Sequence, residues 1–379
     1  MRSTLLGITL LFVLLVPAPP VRAQAPPPAG QPDIVIDALT RRAVVDTLCD
    51  RIERYYVFPE RAKTASKALR NRMSRHDYDR ITSGGELADS LTAHIQSVVP
   101  DLHLRVHYRH EPIPPQQDDG PPPESEMRRI REMGRRVNYG FERVERLRGN
   151  VGYLDLRQFS GDPDGQATAV AAMNFLANTD ALIIDVRRNG GGDPSMIATI
   201  LTYLVPADQR LLFNTFYQRE GGTTEQYHTS PYVPGPRLAG KPLYVLTSRR
   251  TGSGAEEFAY DVQTHRLGTL LGEVTAGGAN PGGIHRLNEH FAAFIATGRA
   301  INPVTQTNWE GVGVKPDSLV KAGEALRAAH EMALRKLIES AKDDPDRAAA
   351  LTQALEDAAK RPADPDEEFA RPQRRRAAN

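Results

Sequence analysis

The chain has 379 residues, of which 40% are hydrophobic and 25% charged, and it carries a net charge of +1. That balance excludes a disordered low-complexity chain and a multi-span membrane protein, and it offers no basic footprint for nucleic acid or anionic lipid. A single cysteine, Cys49, excludes an internal disulfide framework.

In chain order, Arg2 precedes an apolar run from Leu5 to Val16 and the small-residue stretch Val21-Arg22-Ala23. This pattern predicts a secretory signal over 1–23, cleaved after Ala23, and a periplasmic or secreted mature chain without stable membrane insertion. The apolar run is shorter than an ordinary membrane span. Residues 24–32 read as a Pro-rich linker.

Over 33–110 the apolar spacing is helical: Ile36, Leu39, Val44, Val45, Leu48 and Ile52, then Leu87, Leu91, Ile95 and Val98. Cys49 falls on an apolar helix face and reads as a buried structural thiol. A second Pro-rich linker is predicted over 111–137, from the run EPIPPQQDDGPPPES onward.

Over 138–320 strands and helices alternate, which predicts an α/β layered core. Strands are expected at Val151–Leu156, Ala181–Val186, Leu211–Tyr217, Pro242–Thr247, Gly268–Gly272 and Phe291–Ala296. The run Ala181–Val186 is continuously apolar, as suits a strand covered on both faces. Helices are expected over Ala167–Leu176, from Pro194, and over Ser253–Thr264. A helical C-terminal extension over 321–360 and a disordered tail over 361–379 complete the chain.

Two junctions could carry chemistry. In Thr247-Ser248-Arg249-Arg250-Thr251-Gly252-Ser253-Gly254 a strand ends, a small-residue turn follows and a helix begins. Such a turn exposes a serine hydroxyl and aims the next amide at a developing oxyanion, although Ser253 would equally serve as a helix N-cap. In Asp185-Val186-Arg187-Arg188-Asn189-Gly190-Gly191-Gly192 a glycine run follows a buried strand. It can supply N–H donors or simply make a tight turn, and without a following Lys-Ser/Thr it is not a P-loop.

Taken together, the segments GNVGYLDL, IIDVRRNGGG, VLTSRRTGSGAEEFAY, LLGEVTAGG and NWEGVGVKPD resemble the tail-specific, or C-terminal-processing, family of serine peptidases. The resemblance runs from about Asn138 to Asp317. It implies a crotonase-like layered core with a helical N-terminal domain packed on it. The bacterial and chloroplast branch pairs its serine with a lysine. Here Thr275-Ala276-Gly277-Gly278 puts Gly278 where that lysine would stand. The stretch from Glu111 to Arg148 is also short for that branch's PDZ domain, so tail specificity does not follow.

Pro100-Asp101-Leu102-His103-Leu104, Asn138-Tyr139-Gly140-Phe141 and Asn308-Trp309-Glu310-Gly311 instead resemble the branch of the tricorn core and the interphotoreceptor retinoid-binding repeats. By motif, that resemblance implies Ser253 as nucleophile, His103 as base and Glu310 as third member. Leu102 stands where tricorn has an assisting serine, which leaves Asp101 as a second possible orienter of His103. Oxyanion donors would be Gly254 N–H with Gly191 or Gly192.

No His-Glu-x-x-His occurs, and His107 and His110 have no Cys or Glu at ligand spacing, so neither a metal nor another cofactor is expected. Trp309 reads as core or pocket wall. The reading is an exported serine peptidase acting on a peptide or protein through an acyl-enzyme. The alternative is a non-catalytic binder of an apolar small molecule on the same scaffold.

Overall fold

The computed structural model of the chain describes residues 32–114, 124–365 and 369. The signal expected over 1–23 and all but the last residue of the linker expected over 24–32 lie outside the described residues.

Three helices open the fold: α1 (Ala38–Tyr55), α2 (Pro59–Ser74) and α3 (Gly84–Gln96). Asp37 caps α1 through Thr40 N (2.7 Å) and Ser83 caps α3 through Glu86 N (3.0 Å). Their apolar faces meet in one cluster holding Val44, Leu48, Ile52, Leu69, Leu87 and Leu91. Cys49 is fully buried there, and burial pushes its thiol up to about 11. The helical N-terminal part is therefore as expected, with one addition. Strand β1 (Arg105–Tyr108) closes it and pairs, across the chain, with a strand of the core.

A helix, α4 (Glu124–Arg136), occupies much of the stretch expected to be Pro-rich linker. Its residues are almost all charged or long-chained helix formers and follow the prolines rather than containing them. The core then runs β2 (Phe141–Leu147), β3 (Val151–Leu156), α5 (Pro163–Phe175), β4 (Ala181–Asp185), α6 (Pro194–Leu204), β5 (Leu212–Gln218), β6 (Thr224–His228), β7 (Leu243–Thr247), α7 (Gly254–Thr264), β8 (Thr269–Gly272), β9 (Gly282–Arg286), β10 (Phe291–Ala296), β11 (Gly298–Ile301) and β12 (Ser318–Leu319), before α8 (Ala325–Ser340) and α9 (Pro345–Ala359).

The main sheet has the order β12-β8-β7-β4-β3-β2. All its pairs are parallel except β2 with β3. In β4, Leu182 and Ile184 face a core shared with α5, α6 and α7, while Ala181 and Ile183 face α8 and α9. In β7, Leu243 and Val245 face the first core and Tyr244 and Leu246 the second. Both faces are covered, which is why these strands read as unbroken apolar runs. This α/β core with helical ends matches the expected class.

Two small sheets flank it, in the orders β1-β10-β9 and β11-β5-β6. In the first, β1 binds β10 in antiparallel register from Arg105–Phe294 to Tyr108–Phe291. Phe291, Ala293 and Ile295 of β10 enter the N-terminal helical core. The helical part and the α/β core thus share a sheet, and the loop that enters β1 carries His103 to the core.

Past α9 the chain turns back. Asp364 N–H donates to Gly323 O (2.9 Å), and Phe369 is buried over the Arg187 guanidinium, 4.5 Å from its ring centroid. A disordered tail was expected from 361; this part of it docks because Arg187 offers it charge and a flat cationic face.

Candidate active site

Ser253 is set by a turn pinned to the end of β4. Thr251 Oγ1 accepts from Ser248 N (2.9 Å) and donates to Val186 O (2.8 Å), Ser248 Oγ donates to Arg187 O (2.5 Å), and Gly252 N donates to Asn189 O (3.0 Å). The turn is therefore tied to the glycine-run loop. Ser253 itself sits half-buried at φ 52°, ψ −124°. A capping residue is normally extended; this conformation is one that glycine adopts freely and other residues adopt at a cost of about 1–3 kcal/mol.

The glycine-run loop is anchored below by a buried ion pair. Arg187 donates to both oxygens of Asp185 (Nε 2.9 Å, Nη2 2.6 Å), Tyr153 Oη adds a third bond to Asp185 (2.8 Å), and Arg187 also reaches Ala322 O (2.6 Å) and Asp364 (2.9 Å). Burial pushes the Asp185 carboxyl up, but the Arg187 charge and these donors outweigh it and hold it below its ordinary value.

Gly191 and Gly192 have φ of 112° and 143°, and a Cβ on Gly191 would lie 2.8 Å from both Gly254 N and Ser253 Cβ. Only glycine lets the loop come this close to the serine. Of the amides expected to face an oxyanion, Gly191 N–H donates to Asn189 Oδ1 (2.8 Å) and is committed. The Gly192 and Gly254 amides have no acceptor among the described residues. A Cβ on Gly254 would meet Gly192 N at 3.0 Å, so the two are close neighbours.

Glu256, fully buried in the first turn of α7, ties the serine to the next segment. Its Oε2 accepts from Ser253 N (2.8 Å) and Gly278 N (2.9 Å), and its Oε1 accepts from Thr275 Oγ1 (2.5 Å) and Gly277 N (2.5 Å). Burial pushes the carboxyl up to about 7 against the pull of these four donors.

His103 comes from the other side. Asp101, buried, accepts from His103 N (2.9 Å) and Leu104 N (3.2 Å) at Oδ1 and from Tyr56 Oη (3.0 Å) at Oδ2, which fixes the loop. The imidazole lies on Gly278: a Cβ there would stand 2.8 Å from Cε1 and 3.0 Å from Nε2. Trp309, buried, props the same glycine from behind by donating Nε1–H to Gly278 O (2.9 Å). Burial, more than the Asp101 charge opposes, holds the His103 imidazole below its ordinary value.

Glu310 Oε2 accepts from Ala279 N (2.7 Å) and Asn280 N (3.0 Å). Burial and the Asp101 charge push Glu310 up to about 8. Asp101, His103 and Glu310 each present an atom within 4.8 Å of the others. No hydrogen bond joins His103 to Ser253 among the described residues. The two are instead linked through Gly278, whose N–H shares Glu256 Oε2 with Ser253 N–H.

Sequence reasoning singled out neither Glu256 nor the role of Trp309. Glu256 had a signal: Ser-x-x-Glu at a helix start is the spacing of a capping box. Trp309 had none beyond its position beside Glu310.

Residues 150–320 match peptidase family S41, and residues 38–141 match the N-terminal domain of peptidase S41 in eukaryotic IRBP. The chain is 30% identical over 141 residues to the tricorn protease of Thermoplasma volcanium, covering 35% of this chain and 12% of that protein. It is 28% identical over 183 residues to a carboxy-terminal-processing protease of Bartonella bacilliformis, covering 46% and 40%. It is 25% identical over 184 residues to the chloroplastic carboxyl-terminal-processing peptidase 1 of Arabidopsis thaliana, covering 48% and 36%. The chain thus spans less than half the length of these relatives. In fold it is similar to mature CPAF complexed with lactacystin (TM-score 0.50, 12% identity, 84% of this chain and 100% of that one). It is likewise similar to a protein of Parabacteroides merdae (TM-score 0.50, 18% identity, 76% and 92%).

Proposed function

Because the chain belongs to peptidase family S41, we propose that it is a serine peptidase with Ser253 as nucleophile and His103 as general base. The observation that carries this reading is the seating of the His103 ring on Gly278, one shared carboxylate oxygen away from Ser253 N–H. Three remote segments have no common structural need to bring a histidine, a glycine turn and a strained serine together.

In the proposed reaction His103 takes the Ser253 hydroxyl proton as Oγ attacks the substrate carbonyl carbon. The Gly254 and Gly192 amides receive the oxyanion. The imidazolium then protonates the leaving amine as the C–N bond breaks. Water, deprotonated by the same imidazole, hydrolyses the acyl-enzyme. Asp101 orients His103 through its main chain, and Glu310 stands beside the ring where positive charge develops. A His103 held below its ordinary value is neutral at pH 7, the form a base requires.

Export belongs to the same proposal and rests on the N-terminal Arg, apolar run and small-residue site. Among the described residues no helix is long and apolar enough to cross a membrane. Mass spectrometry of the exported protein should find an N-terminus near Gln24; a chain still beginning at Met1 would refute cleavage.

The test of activity is labelling of the purified protein by a fluorophosphonate. Wild type should label at Ser253, Ser253→Ala should not, and His103→Ala should label far more slowly while melting at a similar temperature. Undiminished labelling of Ser253→Ala would sink the assignment.

A further inference from the structure

The Asp101–His103–Glu310 group leaves two buried polar atoms without a hydrogen-bond partner, His103 Nδ1 and Glu310 Oε1. Leaving a buried polar group of this kind without a partner is unfavourable, and more so when it is charged. Both orphans belong to the one group of ligand-capable side chains, among the described residues, whose atoms converge within 4.8 Å. Asp101 adds a carboxylate already held in place by Tyr56 Oη and two main-chain amides. Glu310 is held by Ala279 N and Asn280 N through its other oxygen, so Oε1 is the free one.

We propose that these three side chains form an inhibitory site for a late first-row divalent cation, with Zn2+ as its best occupant. One imidazole nitrogen and two carboxylate oxygens are a zinc-type donor set; Mg2+ and Ca2+ take oxygen ligands and gain nothing from the imidazole. The cation satisfies both orphans and neutralises two neighbouring carboxylates. Its ligands come from two segments far apart in sequence, which is why spacing alone expects no metal. Three protein ligands leave a fourth position for water.

The effect on turnover rests on the reading of His103 as base. A metal-bound imidazole has lost a lone pair and is fixed by two carboxylates, so it cannot accept the Ser253 proton. Binding itself does not rest on that reading, and the two are measured separately.

The full chain, stripped with chelator, is titrated with ZnCl2 by calorimetry and with CoCl2 by visible absorption. One equivalent should bind, with the tetrahedral cobalt spectrum of a mixed N,O site. Asp101→Asn and Glu310→Gln should each weaken binding by at least ~10-fold, and Ser253→Ala should bind as wild type does. Melting temperatures without metal establish that each variant is folded. In the wild type, which needs no variant, Zn2+ should slow fluorophosphonate labelling of Ser253 and chelator should restore it. No binding to wild type, or equal binding to folded Asp101→Asn and Glu310→Gln, overturns the site. Tight binding with an unchanged or faster labelling rate overturns the inhibition. Failure of metal-free protein to label at all sinks the peptidase reading, while the zinc titration still decides the site.

Discussion

His103 rests on the α-carbon of Gly278 so closely that a single added carbon would stand 2.8 Å from its Cε1. No side chain at 278 is compatible with the imidazole in this place. A lysine at 278 and a histidine at 103 are therefore alternatives within one volume, which gives a steric reason for the glycine.

Gly278→Ala follows directly. The methyl must push the ring away from its position, and a misplacement near 1 Å costs on the order of 100-fold in rate. Fluorophosphonate labelling of Ser253 should fall by about that factor, with only a small change in melting temperature. Labelling at the wild-type rate would show that the ring position is irrelevant.

The pH profile of labelling reports the base. Burial holds the His103 imidazole below its ordinary value, so the neutral form persists to lower pH than for a free histidine. Labelling should be on its plateau at pH 7 and decline only below about 6.5. An inflection above 7 would point to a different base.

Stability should carry the mark of Glu310. Its carboxyl titrates near 4.5 in the unfolded chain and about 8 in the fold, so between these values the native state holds the extra proton. Stability from this group is present below 4.5 and is lost as pH rises toward 8. Thermal unfolding in EDTA from pH 4.5 to 8.5 should show Glu310→Gln gaining on wild type as pH rises. A constant difference across the range would refute the raised carboxyl.

Asp185→Asn leaves the buried Arg187 guanidinium without its bidentate partner. Breaking one half of a buried pair costs roughly 3–5 kcal/mol. Urea unfolding should show a loss of that size; a loss under about 1 kcal/mol would class the pair with surface bridges.

Ser253→Gly should stabilise the fold. The native φ of 52° with ψ −124° is strained for serine and open to glycine. Relief of about 1–3 kcal/mol of strain, less up to about 1 kcal/mol of extra unfolded-state entropy, leaves a gain near 1 kcal/mol by denaturant titration. A destabilised variant would show that the serine conformation is not strained.

Much of this arrangement was legible in the chain. The strand of Ala181–Asp185 announced itself by its unbroken apolar run, because helices cover both faces. Phe291–Ala296 is legible at its bounds because its run is likewise unbroken and apolar. The pairing of β1 with β10 was not legible, since nothing local to Arg105–Tyr108 names a partner so far along the chain. The helix of Glu124–Arg136 was hidden by the prolines that precede it. At the candidate site, strand-to-helix turns pointed to Ser253 and the glycine run, and resemblance to His103 and Glu310. Which glycine amide stays open was invisible, because it depends on Asn189 Oδ1 taking Gly191 N–H. Sequence reasoning does not single out Glu256, because its part as the joint between two segments rests on its burial in the fold.

The sharing of a sheet between β1 and β10 sets an order of assembly during synthesis. The three N-terminal helices and β1 are made long before Phe291–Ala296, which supplies both the partner strand and part of their apolar core. Arg187 likewise waits for Asp364 and Phe369, near the end of the chain. Early pieces therefore cannot be finished as they emerge, and the last strands and tail complete both halves together. A chain cut short before residue 291 leaves β1 with an open edge, free to pair with a second truncated copy. Premature termination should thus yield aggregates rather than a soluble helical fragment.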